Sequence, residues 1–324
     1  MFYYEKGGWP VNVLWRLMAT LVGAALLAGC TGEESRSGAE NGGGRLFGVS
    51  FQTMNNPFFV DLNAGIEEVV REHGDRLVTL DAQWNSLKQK NDVSDLILQD
   101  AAGIFINPVN WEGIRGSLLQ AKRKGVPCIV VDAPAKDRDL ALCTVASDNV
   151  EAGRLACRAL AEVNPNARVV ILHLSGNKAC IDRVAGFREE MARHPRIKIL
   201  DVQEGKGTTE GARPVMRDLL GRYQELDAAF PVNDPSALGA ISALDSAGKL
   251  DRVTVVSVDG SQEGIKAIRA GNLHSTSAQF PREIGRIAAE KMYQHLEGTP
   301  VEEDVKVRVE LITKENADEF LKRE

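Results

Sequence analysis

The chain has 324 residues, 44% hydrophobic and 26% charged, with 39 Lys and Arg against 45 Asp and Glu. A formal charge of −6, spread along the chain, excludes a nucleic-acid binder, which needs a clustered basic surface. The length suffices for two domains, each with its own core, and no apolar run reaches the roughly 20 residues that a membrane-spanning helix takes.

The first element is a leader. Lys6 and Arg16 make a thinly positive start, and Leu17 to Ala28 are nearly all apolar, too short to span a bilayer. Small residues then lead into Leu27-Ala28-Gly29-Cys30. This looks like a bacterial lipobox, which implies removal of residues 1–29 and a lipid on Cys30 that tethers the chain to a membrane. The alternative is an ordinary signal peptide cleaved near a cysteine. Thr31 to Gly44, rich in Gly, Glu and Ser, reads as a flexible spacer, so residues 30–44 hold the folded part away from the surface.

From Leu46 short apolar runs alternate with stretches of helical period. Strands are expected at Leu46–Val49, Leu77–Leu80, Gly103–Ile106 and Cys128–Val131, then at Val169–Leu172, Ile197–Leu200, Ala228–Phe230 and Val253–Val256. Between the first two, Phe59, Leu62, Ile66, Val69 and Val70 share one helical face that ends at Gly74; Val93, Leu96 and Ile97 mark the next helix. Strands apolar from end to end, alternating with helices, predict an α/β protein with two doubly wound parallel-sheet domains. Of the five cysteines, Cys128, Cys143, Cys157 and Cys180 lie beyond the leader. Their even number in an exported chain permits disulfides, but Cys128 within an apolar run and Cys157 within an amphipathic stretch favour free buried thiols.

In open parallel sheets ligands bind beyond the carboxyl ends of the strands. There this chain places Asn55-Asn56-Pro57-Phe58-Phe59, Asn107-Pro108, Asp132, Asn233-Asp234 and Asp259-Gly260. With Ile106-Asn-Pro, Val131-Asp, Ala146-Ser-Asp-Asn149, Arg183-Val-Ala-Gly-Phe187 and Ala278-Gln279 before Pro281, the series resembles the periplasmic sugar-binding proteins of type I fold, especially the ribose-binding group. The resemblance runs from about Leu46 to the last helix. It implies three crossings between domains, near Ser147, Gln279 and Arg308, which form a hinge. One lobe would comprise 45–147 plus 279–308, the other 148–278 plus 309–324.

Carried across by position, the resemblance implies polar ligand contacts at Asn56, Asp132, Arg183, Asn233, Asp259 and Gln279, and an aromatic wall at Phe58 and Phe59. Such a set suits a polyhydroxylated ligand: carboxylate and amide oxygens accept from hydroxyls, Arg and amide NH₂ groups donate, and rings cover C–H faces. Three positions depart from the ribose-binding pattern. Ala133 stands in place of an arginine, Val258 in place of a ring, and Gly205-Lys206-Gly207 lies near where another ring belongs. These changes point away from ribose and fit another pentose or hexose, a polyol or a larger ligand equally well. Trp84, Asn107 and Trp111, in loops after strand ends, are further candidate contacts.

Each candidate also has a structural explanation. Asn56 and Asn233 are good helix caps before Pro57 and Pro235, Asp132 suits a turn, and Phe58 and Phe59 suit a core. Catalysis has little to rest on. There is no Gly-x-Ser-x-Gly elbow, Gly205–Thr209 lacks the spacing of a phosphate loop, and the five histidines show no metal-ligand spacing. The two-domain core is also similar to the effector-binding part of LacI-type repressors, but a leader and spacer stand where those carry a helix-turn-helix. The expected function is capture of a monosaccharide or polyol, without cofactor or metal, by a monomer that delivers it to an ABC permease and its ATPase. The alternative is a receptor that presents a sugar or autoinducer to a chemoreceptor or sensor kinase.

Overall fold

Strands and helices alternate along most of residues 43–321, the part of the chain that the computed structural model describes. The leader, Cys30, nearly all of the spacer and the last three residues lie outside it. In chain order the first sheet collects β1 (Leu46–Phe51), α1 (Pro57–Glu72), β2 (Arg76–Asp81), α2 (Ser86–Leu98), β3 (Gly103–Ile106), α3 (Arg115–Lys124), β4 (Cys128–Val131) and β5 (Cys143–Ser147). The chain then leaves for the second sheet with α4 (Asn149–Val163), β6 (Arg168–His173), α5 (Lys178–Met191), β7 (Lys198–Glu204), α6 (Thr209–Arg222), β8 (Ala228–Pro231), α7 (Asp234–Ser246), β9 (Thr254–Asp259), α8 (Gln262–Ala270) and β10 (Ser275–Ala278). It returns through α9 (Pro281–Leu296) and β11 (Asp304–Val307), and crosses once more to β12 (Glu310–Ile312) and α10 (Ala317–Phe320).

Both sheets have six strands and the same order, β2-β1-β3-β4-β5-β11 and β7-β6-β8-β9-β10-β12. All pairings are parallel except β10 with β12, an antiparallel edge that apolar periodicity does not reveal. The strand order reverses beside β1 in one sheet and beside β6 in the other, and such reversals open the crevices where ligands sit. Successive strand residues serve opposite faces. Phe47, Val49 and Phe51 join a core with α1 and α9, while Ile104, Ile106 and Val130 join one with α2 and α3. In the second lobe Val169 and Ile171 pack under α4 and α5, and Val170 and Leu172 under α6, α7 and α8. Two helix layers per sheet explain why the central strands read as continuous apolar runs.

β5 and β10 escaped the pattern because they are small and polar, Cys-Thr-Val-Ala-Ser and Ser-Thr-Ser-Ala, yet both are buried throughout. The four cysteines of the described residues are free and buried. Close helix pairing depends on reciprocal glycines. A Cβ on Gly153 would lie 1.9 Å from the Arg183 carbonyl, and one on Gly186 1.8 Å from that of Val150, so α4 and α5 touch backbone to backbone. Gly65 and Gly285 do the same for α1 and α9. The first contact matters for function, since it sets the height of Arg183 in its lobe.

Candidate functional site

Helix caps at the strand ends build a cleft of about 610 Å³ between the lobes, within the size range of small-molecule sites. Asn56 accepts from the Phe58 N–H at 3.0 Å and starts α1; Asn177 accepts from the Cys180 N–H at 3.2 Å and starts α5; Asn233 accepts from the Ser236 N–H at 3.2 Å and starts α7. All three also line the cleft. Capping and site membership are therefore one arrangement, because the cap is where strand hands over to helix at the crevice.

On the first lobe Phe58 and Phe59 pack edge to face, with ring centroids 5.3 Å apart, and both contribute to core and cleft wall. Trp84, with a positive φ of 59°, lines the same wall and keeps 38% of its surface exposed. Asp132 stands at the end of β4 with φ of 65°. Asn107 Nδ2 donates to its carboxylate at 3.0 Å, and burial pushes its pKa up to about 6 against the pull of Arg183 and that hydrogen bond.

On the second lobe Arg183 reaches the cleft from α5. Its Nε donates to Asn149 Oδ1 at 2.8 Å, and its Nη1 to the Val232 carbonyl at 2.8 Å and to Asp259 Oδ1 at 3.3 Å. Asp259 ends β9 with φ of 138° and also accepts from Gln279 Nε2 at 2.8 Å. Burial pushes its pKa up to about 7; Arg183 opposes this, while the nearby carboxylates of Asp234 and Asp132 add to it. Asp234 lies behind, fully buried, and accepts from Thr276 Oγ1, the Ser261 N–H and Ser261 Oγ at 2.8, 2.8 and 2.9 Å. The lobes meet at two points: at the rim the Trp111 N–H donates to the Gly176 carbonyl at 3.1 Å, and deeper, between buried side chains, Asn177 Nδ2 approaches Gln52 Oε1 at 3.5 Å.

Residues 47–300 match the profile of the periplasmic binding protein domain. The chain belongs to that family. It is 33% identical over 268 residues to the ribose import binding protein of Bacillus subtilis, covering 82% of this chain and 86% of that one. Among solved structures, the periplasmic component of an arabinose transporter from Shewanella sp. ANA-3, bound to L-arabinofuranose, superposes with a TM-score of 0.81 at 30% identity, covering 86% and 95% of the two chains. A solute-binding protein from Bacillus halodurans with bound myo-inositol gives 0.82 at 25% identity, covering 88% and 100%. The family comprises extracytoplasmic binding proteins rather than enzymes.

As a periplasmic binding protein the chain brings Asn56, Phe58, Phe59, Trp84, Asp132, Arg183, Asn233, Asp259 and Gln279 into one cleft wall. Two sequence candidates do not join them. Asn107 is fully buried and spent on protein: its Oδ1 accepts from the Gln52 N–H, and its Nδ2 serves Asp132 and the Val131 carbonyl. It positions Asp132 from behind. Trp111 stands at the rim with Lys136 over its ring at 5.8 Å, outside the lining. Cys30 lies outside the described residues. Sequence reasoning left Asn177, Gln52 and Thr208 out of the site; the Asn and Thr caps after β6 and β7 were legible by the same logic as Asn56 and Asn233.

Proposed function

We propose that this chain is the solute-binding component of an ABC importer, capturing a monosaccharide or polyol in the cleft and delivering it to the permease. The observation that carries this reading is the pairing across one cleft of buried carboxylates and amides with Arg183 and a two-ring wall. Hydroxyls would donate to Asp132 and Asp259 and accept from Arg183 and the amides of Asn56, Asn233 and Gln279, while Phe58 and Phe59 cover the C–H face. Closing the cleft then makes a missing hydroxyl costly, because a buried partner loses its mate.

The lobes comprise residues 45–147 with 279–308 and 148–278 with 309–324, and opening turns on the crossings at Ser147, Gln279 and Arg308. Support for that motion comes from the few polar contacts described between the lobes, Trp111 with Gly176 and Asn177 with Gln52, which a rigid-body rotation breaks at little cost. The mature chain starts at a lipidated Cys30, works as a monomer at the outer side of a membrane, and makes or breaks no bond.

The test is a thermal melt against pentoses, hexoses and polyols. A ligand at a hundredfold excess over its Kd stabilises the native state by about 2.7 kcal/mol. A shift with one compound, lost in Asp259→Ala and Phe58→Ala variants that still melt cooperatively, supports the reading. A cooperative melt that no sugar or polyol moves refutes it.

A further inference from the structure

The described cleft lining holds four carboxylates, on Asp132, Glu210, Asp259 and Glu263, and one cation, Arg183. Glu210 and Glu263 are exposed at the rim, where water screens them. The imbalance that matters is deeper. Arg183 is engaged by Asn149, the Val232 carbonyl and Asp259. Asp132, only 4% exposed, has one side-chain hydrogen bond, from the neutral amide of Asn107, and forms no ion pair among the described residues. The neighbouring Ala133 is wholly buried and brings no donor of its own from its side chain.

A second observation points the same way. Gln279, 6% exposed, turns its NH₂ toward Asp259 and donates to it at 2.8 Å, the orientation that serves the ionised carboxylate. Its Oε1 is then left buried and without a partner. The cleft thus has an unmatched acceptor at Gln279, beside a crossing, and at Asp132 a buried carboxylate that no cation touches. Arg183 attracts Asp132 from beyond contact, and a buried charge with no counterion in contact is the arrangement that proteins avoid unless a ligand completes it. Hydroxyls supply donors but no charge. A metal ion is a poor candidate, because the described residues contain no cluster of three or more carboxylate, His or Cys ligands. An ammonium group supplies both, with three donors on one cation.

Resting on the solute-binding reading above, we propose that the ligand is a polyol bearing a protonated amine, an amino sugar or an aminocyclitol, with its ammonium seated against Asp132. The remaining hydroxyls meet Arg183, Asn233 and Asp259, and one donor reaches Gln279 Oε1.

Calorimetric titration of matched series tests this: galactose, galactosamine and N-acetylgalactosamine; glucose, glucosamine and N-acetylglucosamine; and myo-inositol beside an inosamine. The expected result is an amine that binds at least about tenfold more tightly than its hydroxyl parent, the step from a neutral to a charge-assisted hydrogen bond. The N-acetyl compound, which is bulkier and uncharged, loses that advantage, and Asp132→Asn shrinks the preference for amine over hydroxyl parent, two groups of nearly equal size, to less than about threefold. Parent sugars or cyclitols that bind as tightly as their amines overturn the assignment and leave the solute-binding reading standing. A folded protein that binds no member of any series, nor any neutral sugar or polyol of the wider panel, overturns both.

Discussion

Replacing Arg183 by Met should produce a pH-dependent loss of stability. The substitution keeps the apolar stem and deletes the cation of the deep cleft wall. Asn149 Oδ1 and the Val232 carbonyl each lose a donor at 2.8 Å, and Asp259 loses its cation at 3.3 Å, all in buried surroundings. Removing one partner of a buried ion pair costs about 3–5 kcal/mol. The cost has an outlet, because Asp132 and Asp259 already titrate at about 6 and about 7, above the 3.8 of a free Asp. A carboxyl whose folded pKa is raised stabilises the fold below its unfolded pKa and loses that contribution as pH rises through the folded value. Without Arg183 both values move higher still. At pH 5 the two groups take protons and the variant suffers mainly its lost hydrogen bonds. At pH 8 one or both must ionise unpaired or hold a proton against the solution. At about 2–4 °C per kcal/mol, Tm should fall by about 6–20 °C at pH 8 and by roughly half as much at pH 5. Differential scanning calorimetry of wild type and variant at both pH values measures it, with Arg183→Lys expected in between. A drop that is equal at the two pH values, or below about 2 °C at pH 8, would refute the electrostatic account of the site.

The same linkage applies to the ligand-free wild type: Asp132 and Asp259 should make it more stable near pH 5 than near pH 8 by a few kcal/mol, read as an excess pH slope that Asp132→Asn reduces. Gly186→Ala, although it favours a helix by about 1 kcal/mol, should cost about 2–3 kcal/mol net, since its Cβ would lie 1.8 Å from the Val150 carbonyl. A neutral or stabilising result in urea unfolding would show that α4 and α5 can separate without penalty. Asn107→Ala should destabilise by about 2 kcal/mol and weaken ligand binding, although this side chain does not line the cleft; unchanged affinity would mean that Asp132 holds its place without it. Arg308 bridges Glu283 and Glu310 at 2.8 and 3.2 Å across a crossing and sits 4.2 Å from the Phe280 ring centroid. Arg308→Ala should therefore change stability by under about 1 kcal/mol yet shift the solution scattering of the ligand-free protein toward a more open shape; an unaltered scattering profile would remove Arg308 from the hinge.

Much of the architecture was legible because burial on both faces writes itself into single strands. Val169–Leu172 could only be a covered strand, and Phe59, Leu62, Ile66 and Val69 only one face of a helix. The polar strand ends were legible too, since Asn before Pro marks a cap and a cap after a parallel strand marks the crevice. β5 and β10 were not, because Thr144, Ser275, Thr276 and Ser277 are buried by neighbours distant in sequence rather than by their own hydrophobicity. Sequence offered Asn107 as a further candidate contact beside Asp132, whereas packing turned Asn107 into a support and left Asp132 at the cleft.

The sequence by itself determined the alternation of strand and helix, the doubling of that unit and the polar residues where strands end, all of which depend on periodicity over a few neighbouring positions. Only the tertiary structure decided that Arg183 meets Asp259, 76 positions away, that Gly153 and Gly186 bring α4 against α5, and that Asp132 is left without an ion pair in contact. Those outcomes depend on which surfaces the crossings carry face to face. No local pattern encodes that, because the energy of a buried charge is set by groups that become neighbours only when the chain closes on itself.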